Sequence, residues 1–338
     1  MAFKNCTGLN GKLVISESIT EIEESTFEDC DLTGELIIPD SVTTIGDNAF
    51  NSCYRFKGDL VIPDSVIYIG NGAFSTTSLN GNLFIGSNVQ TIGDEAFKNC
   101  RFKGELVIPD SVTYIGSNSF YNCPGFSGSL IIPDSVLYIG IYAFGACTGF
   151  NGDLVIGNKV VTIDEHAFHG CEGFKGRLVI GSSVSTLGKY CFSECSGFSG
   201  ELYIPLSVTT IGDGVFMACS GFTGDLILSD AVTTIGEYAF QDCSGFTGDL
   251  TIGNSVTYID YSTFENCYGF KGTLTLGSSV ACIRSNAFPG NFKNIYCLNS
   301  TPPEAYESSF SSFIYENGTL FVPASSLEIF EVIEPWSF

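Results

Sequence analysis

The chain has 338 residues, 44% of them hydrophobic and only 15% charged, with a formal net charge of −23. So acidic a chain lacks the basic footprint that nucleic acid or an anionic membrane surface requires, and neither is expected as a partner. No apolar run approaches the ~18–20 residues that span a bilayer, so no membrane insertion is expected.

The chain opens on Phe3-Lys-Asn-Cys6, which is already the middle of a unit that returns about a dozen times. An array normally begins with a cap, so an upstream part, including a signal peptide, is expected to precede residue 1. Phe3 heads a column that runs through Phe27, Phe50, Phe74, Phe97, Phe120, Phe144 and onward to Phe288 in steps of 23 or 24 residues. A fixed period in this range is the signature of a solenoid, in which each coil packs only on its neighbours. Three residues after most of these Phe stands a Cys, from Cys6 to Cys267, with Thr77 and Asn291 filling the two gaps. In-register Cys all pointing one way have poor disulfide geometry, and no CxxC pair suggests zinc. Buried free thiols are expected.

A Gly column follows, from Gly11 and Gly34 through Gly128 to Gly272, implying positive φ or a close backbone approach in each coil. The Cys-to-Gly spacing is four residues after Cys30, Thr77 and Cys100 and otherwise five, so all length variation falls in one loop, expected at the surface. Next comes L-x-I, as in Leu60-Val-Ile62 and Leu106-Val-Ile108, read as a short strand with Leu and Ile inward. S-V-x-x-I-G reads as a second short strand. The closing G-x-x-A-F-x-x-C segment reads as a helical or 3₁₀ turn. After Phe288 the pattern breaks at Pro289-Gly290. Ser309-Phe310 and Leu320-Phe-Val-Pro323 echo the repeat, and the stretch from Ser325 to Glu334 reads as a short amphipathic helix. The expected division is 1–288 solenoid and 289–338 C-terminal cap.

The recurring L-x-I-P-x-S-V-x-x-I-G-x-x-A-F-x-x-C unit, with the ending L-F-V-P-A-S-S, resembles the BspA-like leucine-rich-repeat family over nearly the whole chain. One departure is Phe where the family often has Leu, as in Ser-Gly-Phe222 and Ser-Gly-Phe246. The resemblance implies a β-rich α/β repeat fold: a leucine-rich-repeat solenoid of about 12 coils with short parallel strands. It also implies a secreted or cell-surface protein with an adhesive role towards host matrix proteins.

Chemistry is sparse. His166 and His169, near Asp164, Glu165 and Cys171, are the one candidate metal cluster, and they fall on positions that hold residues such as Asn48 and Asn51 in other coils. Variable turn positions are the plainer reading. Asp40, Asp64, Asp110 and Asp134 follow the strand Pro without any EF-hand or RTX-like loop, which points to turn chemistry rather than calcium. No nucleophile–base or phosphate-loop pattern stands out, so no cofactor and no enzymatic activity are expected.

Two columns suggest recognition. The middle residue of L-x-I points away from the core and reads Val14, Ile37, Val61, Phe84, Val107, Ile131, Val155, Val179, Tyr203, Ile227, Thr251 and Thr275, with Val61 to Tyr203 as the apolar row in the middle of the array. Such an apolar outer stripe is either a binding surface or plain β-propensity. The residue before Ile in V-x-x-I alternates mainly between Thr and Tyr, with Tyr68, Tyr114, Tyr138 and Tyr258, and Tyr suits contact surfaces. The expected function is a non-enzymatic binding module for a protein or glycan, with a structural spacer as the alternative.

Overall fold

Each repeat forms one turn of a parallel-strand solenoid, about 13 turns in all with little helix. The structure is a computed structural model that describes residues 2–336. Its residues group into two compact units, Met1–Lys175 and Gly176–Phe338.

In the first unit the V-x-x-I positions make the longer ladder. Glu21–Ile22, Thr44–Ile45, Tyr68–Ile69, Thr91–Ile92, Tyr114–Ile115, Tyr138–Ile139 and Thr162–Ile163 pair in parallel, each with the next. The Ile of each strand is buried and its Glu, Thr or Tyr neighbour faces outward. The L-x-I strands pair only locally, Leu60–Val61 with Leu83–Phe84 and Leu130–Ile132 with Leu154–Ile156. In the second unit the balance reverses. Leu226–Leu228, Leu250–Ile252, Thr273–Leu276, Asn294–Cys297 and Thr319–Phe321 form a five-stranded parallel ladder.

The A-F-x-x-C arc is not the helical or 3₁₀ turn that its spacing suggested. It is a run of turns in which the residues two before and two after the column Phe take left-handed conformations. Around Phe50 these are Asn48 at φ 54° and Ser52 at φ 59°; around Phe144 they are Tyr142 at 53° and Ala146 at 57°. The alternation turns every second N–H towards the next coil. Asn48, Phe50 and Ser52 thus donate to the carbonyls of Asn71, Ala73 and Ser75 at 2.7–2.9 Å. A left-handed non-glycine residue costs roughly 1–2 kcal/mol. Three inter-coil hydrogen bonds per arc offset it, because the same buried groups would otherwise lack partners.

The arc aims Phe and Cys inward. From Phe50 to Phe288 the column is buried, and successive rings stack at centroid distances such as 5.2 Å for Phe120–Phe144 and 5.3 Å for Phe240–Phe264. The Ser-Gly-Phe position supplies a second buried ladder, with Phe126–Phe150 at 5.8 Å and Phe246–Phe270 at 5.3 Å. The two ladders meet edge to face, as Phe120 and Phe126 do at 6.2 Å. The departure from the family's Leu thus adds an aromatic column, each pair contributing about 0.5–1.5 kcal/mol beyond its buried area.

The ladder thiols are buried from Cys30 onward, and all 14 cysteines are free. Each of several thiols donates to the column Phe carbonyl of the preceding coil: Cys53 to Phe27 at 3.0 Å, Cys147 to Phe120 at 3.1 Å, Cys219 to Phe192 at 3.1 Å. A small side chain with a weak donor suits this place. Burial pushes the Cys53 thiol up to about 12 and the Cys100 thiol up to about 11.

Both readings of the Gly column hold, at different coils. Gly58 has φ +91°. At Gly81 a Cβ would meet backbone of Gly58 at 2.5 Å, so the backbone itself occupies that space. The Asp after the strand Pro acts between coils: Asp64 Oδ1 accepts from the Ser87 N–H at 2.7 Å and Asp134 Oδ1 from the Asn158 N–H at 2.5 Å.

Beyond Phe288 the chain continues the ladders as well as closing them. Phe310 stacks on Phe288 at 5.7 Å, and Glu304–Ala305 pairs with Cys282–Ile283. Trp336 is buried edge-on against Phe310 and Phe330, and its indole N–H donates to the Pro303 carbonyl at 2.8 Å. The helix expected over 325–334 shrinks to a 3₁₀ turn, Ala324–Ser326, and one α-turn, Leu327–Phe330, with no side-chain cap from Ser326. A helix the sequence did not suggest, Ser312–Asn317, starts at Ser311, whose hydroxyl accepts from the Ile314 N–H.

Candidate functional site

The L-x-I strand alternates by the pleat, so Leu and Ile enter the core and the middle residue must leave it. The structure places that row in solvent. In the first unit Val61, Phe84, Val107 and Ile131 are 54%, 52%, 68% and 59% exposed, while Val155 is half-buried. In the second unit Val179 and Tyr203 are also exposed. Adjacent strands hold the side chains in register, Val61 opposite Phe84 and Ile131 opposite Val155.

Between Val61 and Ile227 the row is interrupted at 106–108 and again at 202–204. Among the described residues no strand ladder joins segment 106–108 to its neighbours. There a hollow of about 320 Å³ opens, lined by Val107 and Ile131 with Leu106, Ile108 and Pro133, and with Glu105, Asp110 and Ser129 at its rim. Apolar side chains at the centre and carboxylates at the edge are what a protein partner's anchor residue would meet.

The Tyr row has a different character. Tyr114 and Tyr138 stack at 5.7 Å. The Tyr138 hydroxyl donates to Asp164 Oδ2 at 2.5 Å, and the Tyr68 and Tyr114 hydroxyls reach Asp47 and Asp94 at 3.4 Å. Desolvation, and then these carboxylates, raise the phenol pKa of all three. Their polar tips are therefore already engaged within the chain. The L-x-I and Tyr rows belong to different strands of each coil, and the structure does not merge them into one site.

The outer row, followed in the sequence as far as Ile227, Thr251 and Thr275, extends two strands further in the second unit to Tyr296 and Phe321, which sequence reasoning missed. Ile227 is exposed, and Thr251, Thr275, Tyr296 and Phe321 follow it strand by strand. Tyr296 and Phe321 stack at 4.5 Å. The signal for this extension is the L-F-V-P copy at 320–323, an echo of the L-x-I-P strand within the expected cap.

His166 lies flat on Tyr142 at 4.4 Å and edge-on to His169 at 5.3 Å. Desolvation, and then His169, lower the His166 pKa. Both imidazoles thus sit among stacked turn side chains. Among the described residues no three His, Cys, Asp or Glu are placed to hold a metal ion, and no helix is long and apolar enough to cross a membrane.

Comparison with known proteins agrees with this geometry. No curated protein matches the chain in sequence. A leucine-rich repeat protein from Bacteroides ovatus ATCC 8483 has a similar structure, with a TM-score of 0.65 at 25% identity over 95% of this chain and 86% of that one. A leucine rich cell surface protein from Faecalibacterium prausnitzii A2-165 is more distant, at TM-score 0.44 and 21% identity over 85% of each chain. The model of the BspA type Leucine rich repeat region, in six copies, matches residues 1–127, 126–247 and 209–320. With nearly the whole length matched and the Phe, Cys and strand columns all in place, the chain belongs to the BspA-type leucine-rich-repeat family.

Proposed function

We propose that the chain is a non-enzymatic binding module of a secreted or cell-surface protein, and that its outward strand row engages a protein partner. One observation carries this reading: Val61, Phe84, Val107 and Ile131 present four large apolar side chains, each more than half exposed, one per coil. Side chains fixed by a buried core lose little ordering entropy on binding. An apolar row with a small hollow suits a protein surface better than a glycan, which needs more hydrogen-bonding groups. The acidic remainder of the surface discourages non-specific association. The segment 289–338 serves this module as its cap.

The test is to screen the chain against immobilised matrix proteins and glycans. A saturable protein partner whose binding is lost in Val107→Lys or Ile131→Lys supports the reading. A chain that binds nothing in either set is acting as a spacer. A partner held with unchanged affinity by both Lys variants places the contact elsewhere.

A further inference from the structure

A second site lies apart from the strand row, where the loop after the Cys column is short. Regular coils put two residues between the Cys and the second-ladder position, as in Cys53-Tyr-Arg-Phe56 and Cys123-Pro-Gly-Phe126. Two consecutive coils put only one there, Thr77-Ser-Leu79 and Cys100-Arg-Phe102. Leu79 and Phe102 stay buried, so the missing residue comes out of the surface bulge. The result is a notch two coils wide, walled by Tyr54 on one side and Pro124-Gly125 on the other. Its volume is about 740 Å³, within the ~300–1,000 Å³ range of small-ligand sites.

The lining reverses the charge of the chain. The sequence has 37 acidic and 14 basic residues, yet no Asp or Glu lines the notch, while Arg101 and Lys103 do. Nearby cations are partly spoken for, Arg55 by Asp31 at 3.0 Å and Lys98 by Glu95 at 3.0 Å. Arg101 and Lys103 are exposed, and neither has an ion-pair partner among the described residues. Around them stand neutral hydrogen-bonding groups. Asn99 uses its carbonyl oxygen for the Asn122 amide at 2.8 Å, and Thr76 and Ser78 contribute hydroxyls. Tyr54 exposes its ring at the wall.

We infer that this notch binds a carboxylated saccharide. A guanidinium fork matches a carboxylate in two parallel hydrogen bonds. Hydroxyl and amide groups suit sugar hydroxyls, and an exposed Tyr face suits the apolar face of a pyranose. A free carboxylate without a sugar would leave Tyr54, Asn99, Thr76 and Ser78 unused. An acidic peptide would likewise offer no sugar hydroxyls to Asn99, Thr76 and Ser78 and no pyranose face to Tyr54.

The experiment is a calorimetric titration of the full chain with sialyllactose, trigalacturonic acid, lactose and a poly-glutamate peptide. The two carboxylated saccharides, or one of them, should bind measurably and lactose at least ten-fold more weakly. Arg101→Gln should weaken that binding by at least ten-fold and Tyr54→Ala by several-fold, while Val107→Lys leaves it unchanged. Because Tyr54, Arg101 and Lys103 are exposed, these variants should unfold at the wild-type temperature. The inference is overturned if neither acidic saccharide outbinds lactose, if an Arg101→Gln/Lys103→Gln double variant binds as the wild type does, or if poly-glutamate binds as well as the sugars. The Val107→Lys arm separates this site from the strand-row reading, which stands or falls on protein binding alone.

Discussion

In Met1–Lys175 the V-x-x-I row is hydrogen-bonded through seven strands, whereas the L-x-I row breaks at 106–108. The outer residues differ to match. On the continuous row Tyr68, Tyr114 and Tyr138 turn their hydroxyls to Asp47, Asp94 and Asp164 of the same chain. On the broken row Val61, Phe84, Val107 and Ile131 are each more than half exposed, with a hollow at the break. A row whose polar tips are internally satisfied has little left for a partner. A row of unpartnered apolar side chains gains by being covered, at roughly 25 cal/mol per Å². Exposure at both rows is compatible with very different binding capacity.

The sharpest way to break this contrast is to put one charge on either side of a single pleat. Leu106 is buried and Val107 beside it is exposed. Leu106→Lys would bury an unpaired ammonium and should unfold the coils around it, a loss of several kcal/mol. Loss of cooperative unfolding by circular dichroism would report it. Ile132→Lys should behave alike. If Leu106→Lys melts as the wild type does, the alternation on which the outer row rests is wrong.

Next in size is the common core that keeps both rows rigid. Phe144 stacks on Phe120 at 5.2 Å and Phe168 at 5.3 Å. Phe144→Ala should cost about 3–5 kcal/mol in urea unfolding. A cost below about 1 kcal/mol would mean that the ladder does not set the frame of either row.

The thiols give a pH signature of the same core. Burial holds Cys100 up to about 11 and Cys53 up to about 12, against about 8.5 for a free thiol. With the folded pKa raised, their contribution is fully present below the unfolded value and is lost as pH rises through the folded one. Stability should therefore hold up to about pH 8.5 and fall between about 9 and 12, by up to ~1.4 kcal/mol per pH unit for each buried thiol. Melting curves from pH 7 to 11 would follow this. A thiol reagent should label the ladder only after denaturation, and rapid labelling of the native chain would contradict the burial.

How much of this was legible in the sequence depends on what fixes each feature. The Phe and Cys columns were readable because stacking puts the same demand for shape on one position in every coil. The left-handed arc was not, because Ser25, Asn48, Glu95, Tyr142 and His166 share no local preference that would announce φ near +55°. That conformation is imposed by hydrogen bonds to the next coil, which no single repeat contains. The apolar row was legible from period two, but its break at 106–108 depends on pairing between neighbours. The short loops after Thr77 and Cys100 were visible as spacing, whereas the notch they make emerges only when two such coils stack.

On the continuous row, Tyr138→Phe removes a hydroxyl bonded to Asp164 while leaving the ring stacked on Tyr114. The expected loss is about 0.5–1.5 kcal/mol, the net worth of one hydrogen bond. Chemical unfolding would measure it. A loss near zero would mean that the phenol tips are as unengaged as the apolar row, and would restore the Tyr row as an equal binding candidate.

The smallest effect on stability should come from the substitution with the largest effect on binding. Val107 is 68% exposed and borders the hollow shared with Ile131. Val107→Lys removes no core contact and places its ammonium near the rim carboxylates of Glu105 and Asp110, which also line the hollow. Surface substitutions of this kind usually stay within about 0.5 kcal/mol. On a partner, the same side chain would have to be desolvated against an apolar anchor with no compensating group, so affinity should drop by two orders of magnitude or more. Equal melting temperatures with lost binding would single out the broken row as the contact face. Equal melting temperatures with binding retained would remove it, and would leave the notch between Tyr54 and Pro124 as the recognition site of this unit.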